Sequence, residues 1–180
     1  EMCIRDRHRH GVVDIVAGTY SINEVVTDTP RVDARWFCRN GIAPGQWNAM
    51  SISPASAANY DWFLDTVFRA ELEASQAGGQ PIHALAGAEL DAALARPSGI
   101  LFHPYLFGSP QAGPASAGFF GLHGWHNRGD MLRAVLEGIA FNHRYHIDAL
   151  ADGFRFDAAR LTGGISRNPS FAQLLSLIHI

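Results

Sequence analysis

Residues 160–173 carry the pattern in this chain that is best suited to binding a ligand. The segment reads as the end of a strand, a Gly163-Gly164 turn, and a helix that begins at Asn168. Asn168 is a good helix N-cap, and Pro169 falls at the first helical position, where its missing N–H costs nothing. The glycines would let a flat or anionic ligand reach bare backbone beside the unpaired N–H groups of the helix. The pattern predicts one wall of a nucleotide site, with an ordinary strand-to-helix connection as the alternative.

A second candidate lies where two predicted strands, Val12–Ala17 and residues 20–27, are joined by Gly18-Thr19. The tip of such a hairpin presents backbone N–H groups and a hydroxyl, which can hold phosphate oxygens. The residues alone favour a plain hairpin, so the phosphate-binding interpretation needs support from elsewhere in the chain.

Two histidine pairs could suggest a metal site. His143 and His146 are three residues apart on a long predicted helix, and His123 and His126 repeat that spacing in the preceding loop. Zinc would need three or four ligands, and neither a nearby cysteine nor an HExxH motif supports these pairs. We therefore expect core or solvated histidines and assign no metal ligand. No Ser–His–Asp order or nucleophile elbow stands out either, so no catalytic residue is assigned.

The composition predicts a single domain of moderate size. The chain has 180 residues, 47% of them hydrophobic, and a formal net charge of −3, which argues against a nucleic-acid or anionic-membrane partner. Cys3 and Cys38 are too few for a disulfide framework and suit a reducing cytoplasm. The longest apolar runs, such as residues 99–108, are interrupted by His103 and Pro104 and could not span a bilayer.

The two ends of the sequence differ from what lies between them. Residues 1–10 are charged and without pattern, and residues 177–180 end a predicted helix without a capping signal. We expect both segments to be non-native, on either side of a piece of a longer protein. Natural frayed termini are the alternative.

Hydrophobic periodicity predicts the elements that must position these candidates. The first strands form a meander of three or four antiparallel strands. The remaining predicted elements, in chain order, are strands at 32–38 and 46–52, helices at 54–74 and 82–95, a strand at 100–107, a short strand or turn at 119–122, and a helix at 130–150.

Residues 117–137 (AGFFGLHGWHNRGDMLRAVLE) resemble the C-terminal signature of the FGGY carbohydrate kinases. The signature begins with a small residue, a hydrophobic residue two positions later, and a glycine followed by an aliphatic residue. After a spacer, it continues with an acidic residue and a hydrophobic residue. The matching residues are Ala117, Phe119, Gly121, Leu122, Asp130 and Met131, and the segment closes with Ala134-Val135-Leu136-Glu137. Within the family, PYLFGS at 104–109 and EGIAFNHRYH at 137–146 are most similar to L-xylulose kinase-like and xylulokinase-like members.

The resemblance implies a nucleotide-binding α/β domain over residues 11–176. Its fold would be ribonuclease H-like (the actin-like ATPase fold), with a mixed sheet flanked by helices. ATP and Mg²⁺ are the implied cofactors. The implied nucleotide contacts are Gly18 and Thr19 in a phosphate-binding hairpin, Ala57 (where the family often has glycine) and Asn59 at the start of a helix, and Gly163, Gly164 and Asn168 in an adenosine loop.

The resemblance also implies an ATP-dependent kinase that phosphorylates a hydroxyl of a sugar or ketopentose. In this family the N-terminal domain supplies most sugar contacts and the general base, an aspartate well before the Gly-Thr hairpin. That position would precede Glu1, and Asp14 lies only four residues before Gly18, so we do not assign Asp14 as the base. We expect the chain alone to be inactive, and a homodimer is a possible assembly. A non-catalytic actin-fold nucleotide-binding or regulatory domain is the alternative.

Overall fold

A computed structural model describes residues 10–110 and 113–179. Most of the expected leader, residues 1–9, and Ile180 of the expected tail lie outside the described residues. In the described part, the chain forms seven strands, five α-helices and one 3-10 helix. In chain order these are β1 (Val12–Ala17), β2 (Ser21–Thr27), β3 (Phe37–Asn40), β4 (Trp47–Ser53), α1 (Ala57–Val67), α2 (Arg69–Gln76), α3 (Ile82–Leu94), β5 (Leu101–His103), β6 (Gly118–Phe120), α4 (Arg128–Gly153), β7 (Ala158–Thr162), the 3-10 helix (Gly164–Arg167) and α5 (Pro169–His179).

Five strands form one mixed sheet in the order β3-β4-β2-β1-β7. β1, β2, β4 and β3 pair antiparallel and the two predicted hairpins are present, but the predicted meander is wrong in its order, because β2 pairs with β4 and leaves β3 at the edge. β7 pairs parallel to β1. The parallel register sets Val16 beside Thr162, so β1 and β7 end at the same edge of the sheet. The Gly18 hairpin and the Gly163 turn, which follow these strand ends, therefore lie side by side.

The longest helix, α4, packs across one face of the sheet and encloses the core between them. Asn127 and Asp130 form a capping box at its N-terminus, in which each side chain accepts a hydrogen bond from the other residue's backbone N–H. Gly138 lies against Phe102, where a Cβ would come within 2.5 Å of the Phe102 carbonyl oxygen. The absence of a side chain at Gly138 therefore lets β5 approach α4 closely. α1, α3 and α5 pack against other parts of α4.

Three predicted elements differ from the structure. The helix predicted at 54–74 is two helices, α1 and α2, because the chain bends at the fully buried Phe68. The strand predicted at 32–38 is displaced to β3, because Asp33 Oδ1 accepts from the backbone N–H of Arg35 and turns the chain there. The strand predicted at 100–107 is only the three-residue β5, since Pro104 has no N–H to continue the ladder.

β5 pairs with β6 in a separate two-stranded ribbon, so the short strand predicted near 119–122 is confirmed with a slight shift. The predicted helices at 82–95 and 130–150 correspond to α3 and α4. Among residues 10–110 and 113–179, none of the helices combines the length and the apolar character that a bilayer span requires.

Candidate functional site

A cleft of about 650 Å³ opens at the edge of the sheet where β1 and β7 end. Its walls come from the β1–β2 hairpin, from α1 and α3, and from the chain between β7 and α5. Small-molecule sites span roughly 300–1,000 Å³, so the cleft has room for a ligand of nucleotide size.

The first wall is formed by the hairpin and the start of α1, and we call it the hairpin wall (Gly18, Thr19 and Ala57). The backbone N–H of Ala57 donates to the Gly18 carbonyl over 2.9 Å, which fixes the hairpin tip against the helix N-terminus. Ser56 occupies the N-cap position of α1, but its side chain makes no capping hydrogen bond. Its hydroxyl instead lies 3.2 Å from Nε2 of His143, in the core.

The second wall is the turn after β7, and we call it the turn wall (residues 163–168). Gly163 has a φ of 102°, and a Cβ there would lie 2.4 Å from the Ala17 carbonyl oxygen, so this position requires glycine. At Gly164, in contrast, an added Cβ would meet no described atom within 4 Å. Asn168 Oδ1 accepts from the backbone N–H of Phe171 over 3.1 Å, so the predicted N-cap of α5 is confirmed.

The structure brings most of the predicted site residues to this cleft. The lining includes Gly18, Thr19, Ala57, Gly164 and Asn168.

The other two predicted residues, Gly163 and Asn59, are not among the lining residues. Gly163 shapes the turn through its backbone. Asn59 is fully buried, and its side-chain amide donates to the Ser56 carbonyl over 3.2 Å. Its Oδ1 has no hydrogen-bond partner within the described ranges. Asn59 therefore supports the start of α1 from the core, and Gly163 determines the path of the turn.

A third wall, on α3, was missed at the level of sequence. His83, Gly87 and Asp91 are four residues apart and all line the cleft. The sequence did contain a signal for this wall, because the helix is rich in Ala and Leu but carries two polar residues and a glycine on one face. At Gly87 an added Cβ would meet no described atom within 4 Å, so this position leaves open space in the cleft.

Side chains from separate helices join across the cleft. Tyr60 Oη lies 3.2 Å from His83 Nδ1, and the two rings are stacked with centroids 6.0 Å apart. Burial, with the charge of Asp61, raises the pKa of Tyr60 to about 12, so its hydroxyl stays protonated. Burial also raises the pKa of the Asp61 carboxyl. On the far side, the Ser170 hydroxyl donates to Asp91 Oδ1 over 2.7 Å and ties α5 to α3.

His143 and His146 lie in the core, with 0% and 1% of their surface exposed. Burial lowers the pKa of His146 to about 4, so the ring is neutral at physiological pH. In the part of the chain that the structure describes, no three His, Cys, Asp or Glu side chains come together as metal ligands.

The comparisons with known proteins agree with this geometry. The family model for the FGGY family of carbohydrate kinases, C-terminal domain, matches residues 13–178. The chain is 25% identical over 180 residues to the L-xylulose/3-keto-L-gulonate kinase of Escherichia coli strain K12, covering 91% of this chain and 31% of that protein. It is 30% identical over 178 residues to the gluconokinase of Bacillus subtilis strain 168, covering 93% of this chain and 34% of that protein. The chain thus spans about a third of the length of these relatives.

Solved structures share the fold. The xylulose kinase of Rhodospirillum rubrum superposes with a TM-score of 0.81 at 25% identity, over 94% of this chain and 33% of that one. Plasmodium falciparum glycerol kinase, solved with ADP, gives a TM-score of 0.75 at 20% identity, over 97% of this chain and 35% of that one. The predicted ribonuclease H-like, actin-like fold with a mixed sheet is confirmed. The chain belongs to the FGGY family of carbohydrate kinases and carries the C-terminal domain of that family.

Proposed function

We propose that this chain is the nucleotide-binding part of an ATP-dependent sugar kinase. The observation that carries the proposal is the meeting of Gly18-Thr19 with Gly164 and Asn168 in one cleft, although they stand at opposite ends of the sequence. The ADP in the structure of the Plasmodium falciparum glycerol kinase, which has the same fold, supports a nucleotide as the ligand.

The two walls suit the two ends of ATP. The hairpin wall offers backbone N–H groups beside the N-terminus of α1, an arrangement that favours phosphate. The turn wall is open at Gly164, and Asn168 and Ser170 bring polar side chains to the same end of the cleft. We therefore assign the phosphates to Gly18-Thr19 and the adenosine to the turn wall and α3.

ATP would supply the phosphoryl group, and Mg²⁺ would reach the cleft already bound to the triphosphate, as is usual for this ion. We assign no Mg²⁺ ligand among the described residues, because their carboxylates and imidazoles form no cluster. The work of this chain is to hold and orient the donor, and positioning with electrostatic stabilisation accounts for most of the catalysis of phosphoryl transfer.

The acceptor would be a hydroxyl of a sugar or ketopentose, in line with the xylulose, L-xylulose and gluconate kinases among the relatives. Since the chain covers about a third of these proteins, we propose that other parts of such an enzyme bind the sugar and supply the general base. The isolated chain is then expected to phosphorylate no sugar. ADP release that depends on an added pentulose would contradict this expectation.

Filling the cleft tests the nucleotide assignment directly. Gly87→Leu adds a side chain at a position with open space on the cleft wall, so we expect the affinity for a non-hydrolysable ATP analogue to fall at least about tenfold. Ala88→Leu is the matched control, because it adds a similar group to an exposed position of the same helix outside the lining. Calorimetry or NMR titration would measure both. Equal affinity in Gly87→Leu and Ala88→Leu would contradict the assignment.

A further inference from the structure

The core beneath the hairpin wall contains an unusual polar connection centred on His143. The ring is fully buried, with Nδ1 2.9 Å from Asn23 Oδ1 and 3.2 Å from the Ser21 hydroxyl. Nε2 lies 3.2 Å from the Ser56 hydroxyl. One side chain of α4 therefore contacts both β2 and the residue that precedes α1.

The partners of the ring define how the protons are arranged. The Asn23 amide nitrogen donates to the Ser21 hydroxyl over 3.1 Å, which turns the Asn23 carbonyl oxygen toward the ring. Nδ1 of His143 is then the donor to Asn23, and Nε2 of the neutral ring accepts from the Ser56 hydroxyl. Hydrogen bonds thus run in one direction from Ser56 through His143 to β2.

This connection reaches the cleft through two short links. Ser21 comes two residues after Thr19, at the base of the hairpin tip. Ser56 precedes Ala57, whose backbone N–H donates to the Gly18 carbonyl. The Ser56 hydroxyl is directed at His143 and makes no capping hydrogen bond to α1. In the first turn of α1 the N–H of Ala57 donates to the Gly18 carbonyl and that of Asn59 to the Ser56 carbonyl. Within the part of the chain that the structure describes, this leaves the N–H of Ala58 as the donor that an anion could use.

His146 provides an internal comparison one helical turn along α4. It is equally buried, and its two nitrogens lie 2.7 Å from the Ser51 hydroxyl and 3.0 Å from the Ser53 hydroxyl, both on β4. Neither serine lines the cleft, but Ser53 pairs with Ser21 across the sheet and its hydroxyl accepts from the backbone N–H of Ala55. The two histidines therefore have the same kind of environment, but His143 contacts Ser21 and Ser56 beside the hairpin wall directly, whereas His146 reaches them only through Ser53.

We propose that His143 is a positioning residue for the phosphate end of the cleft, holding the Ser56 hydroxyl out of the capping position and fixing the start of α1 against the hairpin tip. This proposal rests on the proposed function, because it assumes that the cleft binds a nucleotide. It assigns to a core side chain a role in binding the triphosphate but not the adenosine.

The test compares two ligands on matched variants. The affinities of the chain for a non-hydrolysable ATP analogue with Mg²⁺ and for adenosine would be measured by NMR titration in wild type, His143→Phe and His146→Phe. Loss of a buried hydrogen-bond partner changes an equilibrium constant about tenfold. His143→Phe should therefore lower the affinity for the ATP analogue about tenfold. The affinity of His143→Phe for adenosine should change by less than about twofold. In His146→Phe the ratio of the two affinities should also change by less than about twofold.

Two milder variants keep the proposal testable if His143→Phe does not fold. Ser56→Ala removes the hydroxyl alone and should also lower the affinity for the ATP analogue, by about threefold. His143→Gln can both donate and accept, and it should restore part of the loss. Equal weakening of both ligands, or the same selective loss in His146→Phe, would overturn the proposal. A wild-type chain that binds neither ligand would instead contradict the proposed function.

Discussion

The hairpin wall and the turn wall meet at one edge of the sheet, yet different interactions hold them in place. The hairpin wall rests on buried side chains, since Ser56 and Ser21 are joined by His143 beneath it. The turn wall rests on backbone geometry, since Gly163 passes within van der Waals distance of Ala17 and Asn168 caps the next helix. The first wall should therefore be sensitive to loss of buried polar partners, and the second to added side-chain atoms.

The largest expected effect is on the turn wall. Gly163→Ala places a Cβ 2.4 Å from the Ala17 carbonyl oxygen at a φ of 102°, so both strain and overlap oppose folding. We expect the free energy of unfolding to fall by more than about 3 kcal/mol, as measured by urea denaturation. Gly164→Ala is the control, with a change below about 1 kcal/mol because its Cβ would stand in open space. Similar losses in both variants would show that backbone geometry is not what holds this wall.

The second effect concerns the buried polar residues on α4 and depends on pH. The pKa of His146 is lowered from 6.5 to about 4 in the folded state, so the unfolded chain binds the additional proton as the pH falls below 6.5. Stability from the neutral ring is fully present above pH 6.5 and is lost toward pH 4. Between pH 7 and pH 5 the loss should be about 2 kcal/mol.

Urea denaturation of wild type and His146→Gln at both pH values would measure this loss. The variant should be less stable at pH 7 but should lack this part of the pH dependence, because glutamine does not titrate in this range. A pH dependence that is unchanged in His146→Gln would rule out the buried histidine as its source.

The smallest effect tests the cap of the turn wall. Asn168→Ala removes the acceptor for the Phe171 N–H and should lower the free energy of unfolding by about 1 kcal/mol. Asn168→Asp keeps an oxygen in the same place and should recover most of that stability. If alanine and aspartate are equally destabilising, the cap contributes nothing and the turn wall depends on Gly163 alone.

The parts of the site that the sequence predicts are those encoded locally. A Gly-Gly turn followed by Asn-Pro identifies a capped helix start, and the signature at residues 117–137 supplies the family. The α3 wall could not be predicted in the same way, because Gly87 becomes part of the site only when α3 packs beside α5. The break at Phe68 has a similar cause, since the periodic pattern runs through it and only tertiary packing bends the chain there.

The contacts of the buried histidines also could not be predicted from the sequence. Their spacing places His143 and His146 on one side of α4, but the spacing does not tell which strand each will meet. Sheet order decides that: β2 and β4 are neighbours, so residues one turn apart on the crossing helix reach different strands.

The parallel pairing of β1 with β7 has a consequence for how this domain is made. β1 cannot form its parallel pairing until β7 is present, because residues 18–157 separate the two strands. Such distant pairing makes folding slow, and during synthesis β1 emerges from the ribosome long before its partner. The edge of β1 therefore stays open until β7 has been synthesised, and a chaperone or an early ligand would have its greatest influence on the yield of this domain at that stage.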